Sequence, residues 1–323
     1  MADYAATWQT NNVTVAPNGS EKMGGRASNA TLNTEGQSVT FVYVDDTEGW
    51  KNVQDSTSNV IGKSFVAATG GTVTIVCTNF KVHTFTGPGT FCVSNAGNPG
   101  GSDTVSYMVV AGGGGSGGSE GGGWGGAAGG GAGGFREGRA TTCSYTVSPL
   151  NAPAGLPVSV QGYSIVVGAG GALGPGPGGP TNGQGGSGGV STFSTIASAG
   201  CGGGGSGFAD CSPSTRPGAN GGSGGGAGSV NGYTGGTGNT PPVSPAQGFN
   251  GGSGAAGPIY GAGGGGGATA AGANGQPGAG TPSLSNGGAG GAGASTEISG
   301  SSVARAGGGG GSYYTNNNIG AGG

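Results

Sequence analysis

The sequence predicts an all-β amino-terminal region of short hairpins followed by a glycine-rich polyglycine II bundle, with essentially no α-helix. Glycine distribution carries the first part of this expectation: of 90 glycines in 323 residues, 13 precede Ala111, against a usual share of about 7%. Apolar periodicity carries the second. Before residue 111 it is the alternation of half-buried strands, and no stretch has a helical period. Three divisions follow: a small β module at 1–67, a hairpin base at 68–110, and the bundle at 111–323.

In the first division, Asn12-Val13-Thr14-Val15 reads as a strand closed by the turn Pro17-Asn18-Gly19-Ser20. Ser38-Val39-Thr40-Phe41-Val42-Tyr43-Val44 places Val39, Phe41 and Tyr43 on one face, and Asp45-Asp46-Thr47-Glu48-Gly49 turns the chain into Trp50. The second division holds Thr72-Val73-Thr74-Ile75-Val76, then Val82-His83-Thr84-Phe85, the turn Thr86-Gly87-Pro88-Gly89, and Thr90-Phe91-Cys92-Val93. Its last strand, 105–110, leads straight into glycine and roots the bundle.

Beyond it, glycine runs recur at 112–115, 202–205, 263–267 and 307–311, punctuated by apolar stretches such as Tyr163-Ser164-Ile165-Val166-Val167 and Val190-Ser191-Thr192-Phe193. A flexible linker would be monotonous Gly/Ser. Ordering glycine costs more backbone entropy than ordering any other residue. Left-handed helices of three residues per turn, rising ~3.1 Å per residue, offer a compensation. Lacking Cβ, they approach closely enough to exchange backbone hydrogen bonds worth roughly 0.5–1.5 kcal/mol each. The composition alone also permits plain disorder; the apolar punctuation favours order.

Charge is sparse, with a net of −3. No basic stripe supports nucleic-acid binding and no apolar run of 18 residues supports membrane insertion. Met1-Ala2-Asp3-Tyr4 lacks the regions of a secretory signal. Five scattered cysteines read as free thiols by default, with Cys201 and Cys211 close enough in sequence to pair under oxidising conditions.

No catalytic, metal or cofactor site is expected. Gly112-Gly113-Gly114-Gly115-Ser116-Gly117 satisfies G-x-G-x-x-G behind a strand, and Glu137 follows downstream, but glycine rather than a helix comes next. His83 is the lone histidine and reads as a strand residue; Asp45, Asp46 and Glu48 read as a solvated turn rather than a calcium loop. Asn12, Asn18 and Asn29 begin glycosylation sequons. The binding candidates are Trp124, Phe135, Arg136, Phe208, Asp210, Tyr233, Phe249, Tyr260, Tyr313 and Tyr314, with Asn316, Asn317 and Asn318 beside the last pair. Aromatics and Arg bring large contact area to recognition sites. The same residues could instead cap the bundle ends.

The strings Val82-His83-Thr84-Phe85-Thr86-Gly87-Pro88-Gly89-Thr90-Phe91 and Tyr107-Met108-Val109-Val110-Ala111-Gly112 resemble the opening of the glycine-rich domain at the ends of many tailed-phage fibre proteins. Val166-Val167-Gly168-Ala169-Gly170-Gly171, then Ser191-Thr192-Phe193 before the run after Cys201, and Ile298-Ser299-Gly300-Ser301-Ser302-Val303 before 307–311, follow that family's order. Asn12-Val13-Thr14-Val15-Ala16-Pro17-Asn18-Gly19-Ser20, with Gly49-Trp50, is similar to a small β module of phage fibres. The resemblance implies a virion tail-fibre adhesin: non-enzymatic, without cofactor, and presenting loops to a host cell-surface receptor, either an outer-membrane protein or a glycan. It implies other fibre subunits as partners and a homo-oligomer, a trimer by fibre architecture. An apolar strand usually closes such domains after the last glycine run, whereas this sequence stops at Ile319-Gly320-Ala321-Gly322-Gly323, so the chain reads either as a fragment or as one completed by a neighbouring copy. The second possibility keeps an extracellular head-to-tail fibril open as an alternative. A polyglycine ice-binding protein needs a flatter repeat than Pro241-Pro242, Phe249 and Tyr260 permit.

Overall fold

A computed structural model describes residues 1–56, 64–98, 101–119, 125–176, 183–207, 216–229, 232–256, 261–277, 286–313 and 320–323. Among them the chain is all-β, with many small sheets and no helix. It divides into two compact units, Met1–Ser64 with Pro99–Gly101, and Phe65–Asn98 with Ser102–Gly323.

In the first unit β1 (Val13–Val15) pairs antiparallel with β2 (Ala30–Leu32), and β3 (Val39–Tyr43) with β4 (Trp50–Asp55). The β3–β4 turn is built by Asp45, whose Oδ1 accepts the N–H groups of Thr47 (2.8 Å) and Glu48 (2.6 Å). Gly49 closes it at φ +69°, where a Cβ would also lie 2.0 Å from the Lys22 carbonyl. Register sets Tyr43 opposite Trp50, with ring centroids 5.5 Å apart and edge to face. The amino terminus is tied down by the buried Asp3 carboxylate, which accepts the amides of Thr7, Trp8 and Gly36. Burial acts to raise its pKa, and the amides outweigh that and hold it below the ordinary value.

The second unit begins with β5 (Val66–Thr69), β6 (Thr72–Val76), β7 (Phe80–Thr84), β8 (Gly89–Ala96), β9 (Thr104–Val105), β10 (Tyr107–Val110), β11 (Phe135–Gly138), β12 (Asn151–Ala152), β13 (Leu156–Pro157), β14 (Gly162–Val166), β15 (Ser191–Phe193) and β16 (Ile196–Ser198). Far along the chain come β17 (Ala294–Thr296) and β18 (Val303–Arg305), paired as a hairpin. The largest sheet runs β16-β15-β14-β8-β5. Strict alternation in β14 turns Tyr163 and Ile165 inward, where they join Phe91, Val93, Tyr107, Val109, Val158 and Phe193. The Phe91 and Phe193 rings meet edge to face at 5.7 Å. Each such buried side chain contributes about 1.5–3 kcal/mol.

The strand expected at 105–110 is broken. Ser106 sits between β9, which pairs with β13, and β10, which pairs with β11, and its Oγ accepts the Ala140 amide at 3.0 Å. A side chain that captures a backbone donor diverts the ladder. The turn at 86–89 likewise joins strands that do not pair with each other: β7 pairs with β6, and β8 with β5 and β14.

The glycine segments order one another through their backbones. In residues 262–267 every N–H donates and every C=O accepts. Ala262 and Gly265 donate to Ser312 and Gly309, Gly263 and Gly266 to Ala227 and Gly224, and Gly264 and Gly267 to Ala273 and Ala270, at 2.8–3.0 Å. Their carbonyls accept from Gly288 and Gly291, from Gly129 and Ala132, and from Gly252 and Phe249. Partners therefore repeat every third residue, and the segments around this one also bond to their own neighbours, as Gly226 does to Gly129 and Gly311 to Gly288. Such close approach needs glycine: a Cβ on Gly263 would lie 2.0 Å from the Gly252 carbonyl, and one on Gly265 2.0 Å from that of Gly130.

Candidate binding surface

Where the glycine array meets solvent, one outer layer is formed by segments 218–221, 234–238, 249–254 and 270–276. Gly218 and Gly221 donate to Thr234 and Thr237, Gly251 and Gly254 to Gly236 and Tyr233, and Gly272 and Gly275 to Asn250 and Ser253, at 2.9–3.1 Å. Amides at such an edge need acceptors that the next segment does not supply. Three exposed asparagines supply them: Asn220 Oδ1 accepts the Thr237 amide at 2.7 Å, Asn250 Oδ1 that of Gly238 at 2.8 Å, and Asn274 Oδ1 that of Ser253 at 2.8 Å. Each carboxamide is thereby pinned with its oxygen inward.

The neighbouring loop is organised by Asn239, whose Oδ1 accepts the amides of Val243 and Gln247. Gln247 is buried, donates Nε2 to Pro241 O at 2.8 Å and accepts the Ala199 amide at 2.8 Å, which fixes the loop to the end of β16.

Of the residues singled out from the sequence, Phe249 is 40% exposed, beside Asn250 on this layer. Tyr233 is half-buried, with the Arg216 guanidinium 5.6 Å from its ring centroid. Tyr313 is half-buried and forms a β-bridge with Gly261. Arg136 is half-buried in β11. Phe135 is a correction: it is fully buried, packed with Ala268 and Ala294 under Met108, Val110, Leu150 and Ala306, because its pairing with Val110 turns it into a core and away from any partner. Trp124, Phe208, Asp210, Tyr260, Tyr314, Asn316, Asn317 and Asn318 lie outside the described residues. The structure brings Phe249 and Tyr233 to adjoining segments and does not gather the other described residues with them. Asn220, Asn250 and Asn274 were missed. They are three of the six Asn-Gly pairs beyond residue 111, so the dipeptide alone does not mark them.

The G-x-G-x-x-G match is structural. The amides of Gly112, Gly114, Gly115 and Gly117 already donate to Gly189, Gly131, Gly186 and Ala128, leaving none of these four for a pyrophosphate. Glu137 is buried, accepting the Ser148 amide at 2.9 Å and the Thr296 hydroxyl at 2.5 Å, so it clamps β17 to β11. His83 packs edge-on against Phe91 at 5.1 Å and hydrogen-bonds the Gly70 carbonyl. Cys201 is a free, buried thiol whose pKa burial pushes up to about 11; Cys211 lies outside the described residues. Among the described residues no group of His, Cys, Asp or Glu could hold a metal ion, and no helix is long and apolar enough to cross a membrane.

No family model, curated protein or solved structure matches the chain.

Proposed function

We propose that the glycine segments form a polyglycine II bundle and that the chain is a non-enzymatic, adhesive component of a phage tail fibre, carried on the virion and presenting surface loops to a host cell-surface receptor. The observation that supports the bundle is the three-residue repeat of backbone partners around 262–267, the period of that helix. A rigid array of this kind fixes its edge loops at small entropic cost, which suits recognition. Other fibre subunits and further copies of the chain, as a trimer, complete the assembly.

Two measurements test this. Amide exchange should show residues 262–267 among the slowest in the protein; rapid exchange there removes the bundle. Purified protein should compete with virions for adsorption to host cells, and undiminished adsorption at saturating protein removes the adhesin.

One feature favours the second reading, a fibril completed by neighbouring copies. The buried amides of Gly130 and Gly133 have no hydrogen-bond partner among the described residues, and both border a groove of about 360 Å³ beside Gly113 and Gly309. Negative-stain images would show unlimited polymers in that case and discrete particles for a fibre tip.

A further inference from the structure

We infer that the outer layer carrying Asn220, Thr237, Asn250, Asn274 and the Phe249 ring is a binding face for a neutral glycan. The three carboxamide oxygens each accept a backbone amide, which orients the group and leaves each Nδ2 as a donor held in a fixed direction at an exposed position. Thr237, exposed between the segments that carry Asn220 and Asn250, adds a hydroxyl able to donate or accept. Phe249 adds an exposed apolar ring next to Asn250.

A sugar chain meets these requirements together. Its hydroxyl and ring oxygens accept from fixed amides, its hydroxyls exchange bonds with Thr237, and its C–H faces pack on an aromatic ring. The donors are already oriented, so binding immobilises no long side chain. Charge selects among glycans: no Asp, Glu, Lys or Arg occurs between Arg216 and Glu297. Nothing in that stretch compensates a uronate or sialate carboxylate, and nothing repels an uncharged chain.

This inference rests on reading the chain as an adhesin and names its ligand class. The test uses the full chain with immobilised mannan, dextran and laminarin as neutral probes, alginate as an acidic one, and whole bacterial cells in parallel. The triple variant Asn220→Asp, Asn250→Asp, Asn274→Asp keeps an oxygen for each backbone amide and removes the outward N–H groups. It should melt within a few degrees of the wild type and bind the neutral polysaccharide at least tenfold more weakly. Phe249→Ala, which trims an exposed ring, should weaken binding several-fold. Equal binding by the triple variant, binding to alginate alone, or binding to none of the neutral probes overturns the inference. Cell binding without polysaccharide binding leaves the adhesin standing and points to a protein receptor; loss of both fells the adhesin as well.

Discussion

The base of the second unit and the glycine array above it are both close-packed, but by different means. In the base, side chains from several strands fill the interior and the backbone serves the sheets, as around Phe91, Tyr163 and Phe193. Around 262–267 there are almost no side chains to pack, and the backbone is the packing surface in every direction. The first kind of core is sensitive to lost volume, whereas the second is sensitive to added volume. A single methyl group is therefore a sharper probe of the array than of the base.

The largest effect expected on the base is from Phe193→Ala, which empties the centre of its aromatic cluster and should cost about 3–5 kcal/mol in denaturant unfolding. A comparable loss is expected from a change that only adds atoms. Gly265→Ala sets a Cβ against the Gly130 carbonyl and should cost ~3 kcal/mol. The same substitution at Gly113, where the nearest atom is 4.0 Å away, should stay within ~0.5 kcal/mol. Equal tolerance at both glycines would break the comparison.

A smaller, chemical effect is expected at Cys201, which lies against Gly114 inside the array. The exposed Cys77 and Cys92 should react with a thiol reagent at once, and Cys201 only on unfolding. Its folded pKa, about 11, stands above the ordinary 9, so the folded state holds the proton more firmly. The resulting stability is complete below pH 9 and lost as pH rises through 11. A melting series across that window, compared with Cys201→Ala, checks the sign.

The smallest expected effect lies outside both cores. Tyr43 is raised to about 12, first by its hydrogen bond to Asp46 and then by partial burial. Absorbance titration should show Tyr43 ionising late, together with Tyr145 and Tyr107, which burial also raises, and Tyr43→Phe should lower the late amplitude by one tyrosinate. Because the folded value is again the higher, this contact is intact below pH 10 and lost toward pH 12.

Strands whose faces differ in burial were legible from alternation: β8, β14 and β15 fall where the apolar pattern places them, as does β6, although it is largely exposed on both faces. Phe135 was not legible. Gly-Gly-Phe-Arg-Glu looks like an aromatic stranded among glycines, and only the return of the chain to pair with β10 reveals it as core. The outer asparagines failed for the same reason: Asn220 caps an amide on residue 237, a relation no local pattern encodes. Glycine triplets announce a period of three but not which segment lies beside which, since lateral order comes from loops and from sparse side chains such as Gln247.

Asn220, Asn250 and Asn274 are each followed by glycine, the pairing most prone to spontaneous loss of ammonia, in which the next residue's backbone nitrogen attacks the carboxamide carbon. Here that nitrogen is engaged in all three: Gly221 donates to Thr237, Gly251 to Gly236 and Gly275 to Ser253, while the carboxamide is pinned from its other side. The layer thus shields itself from chemical ageing for as long as it stays folded. Conversion of these positions to aspartate or isoaspartate in stored protein would record how often the edge of the array opens.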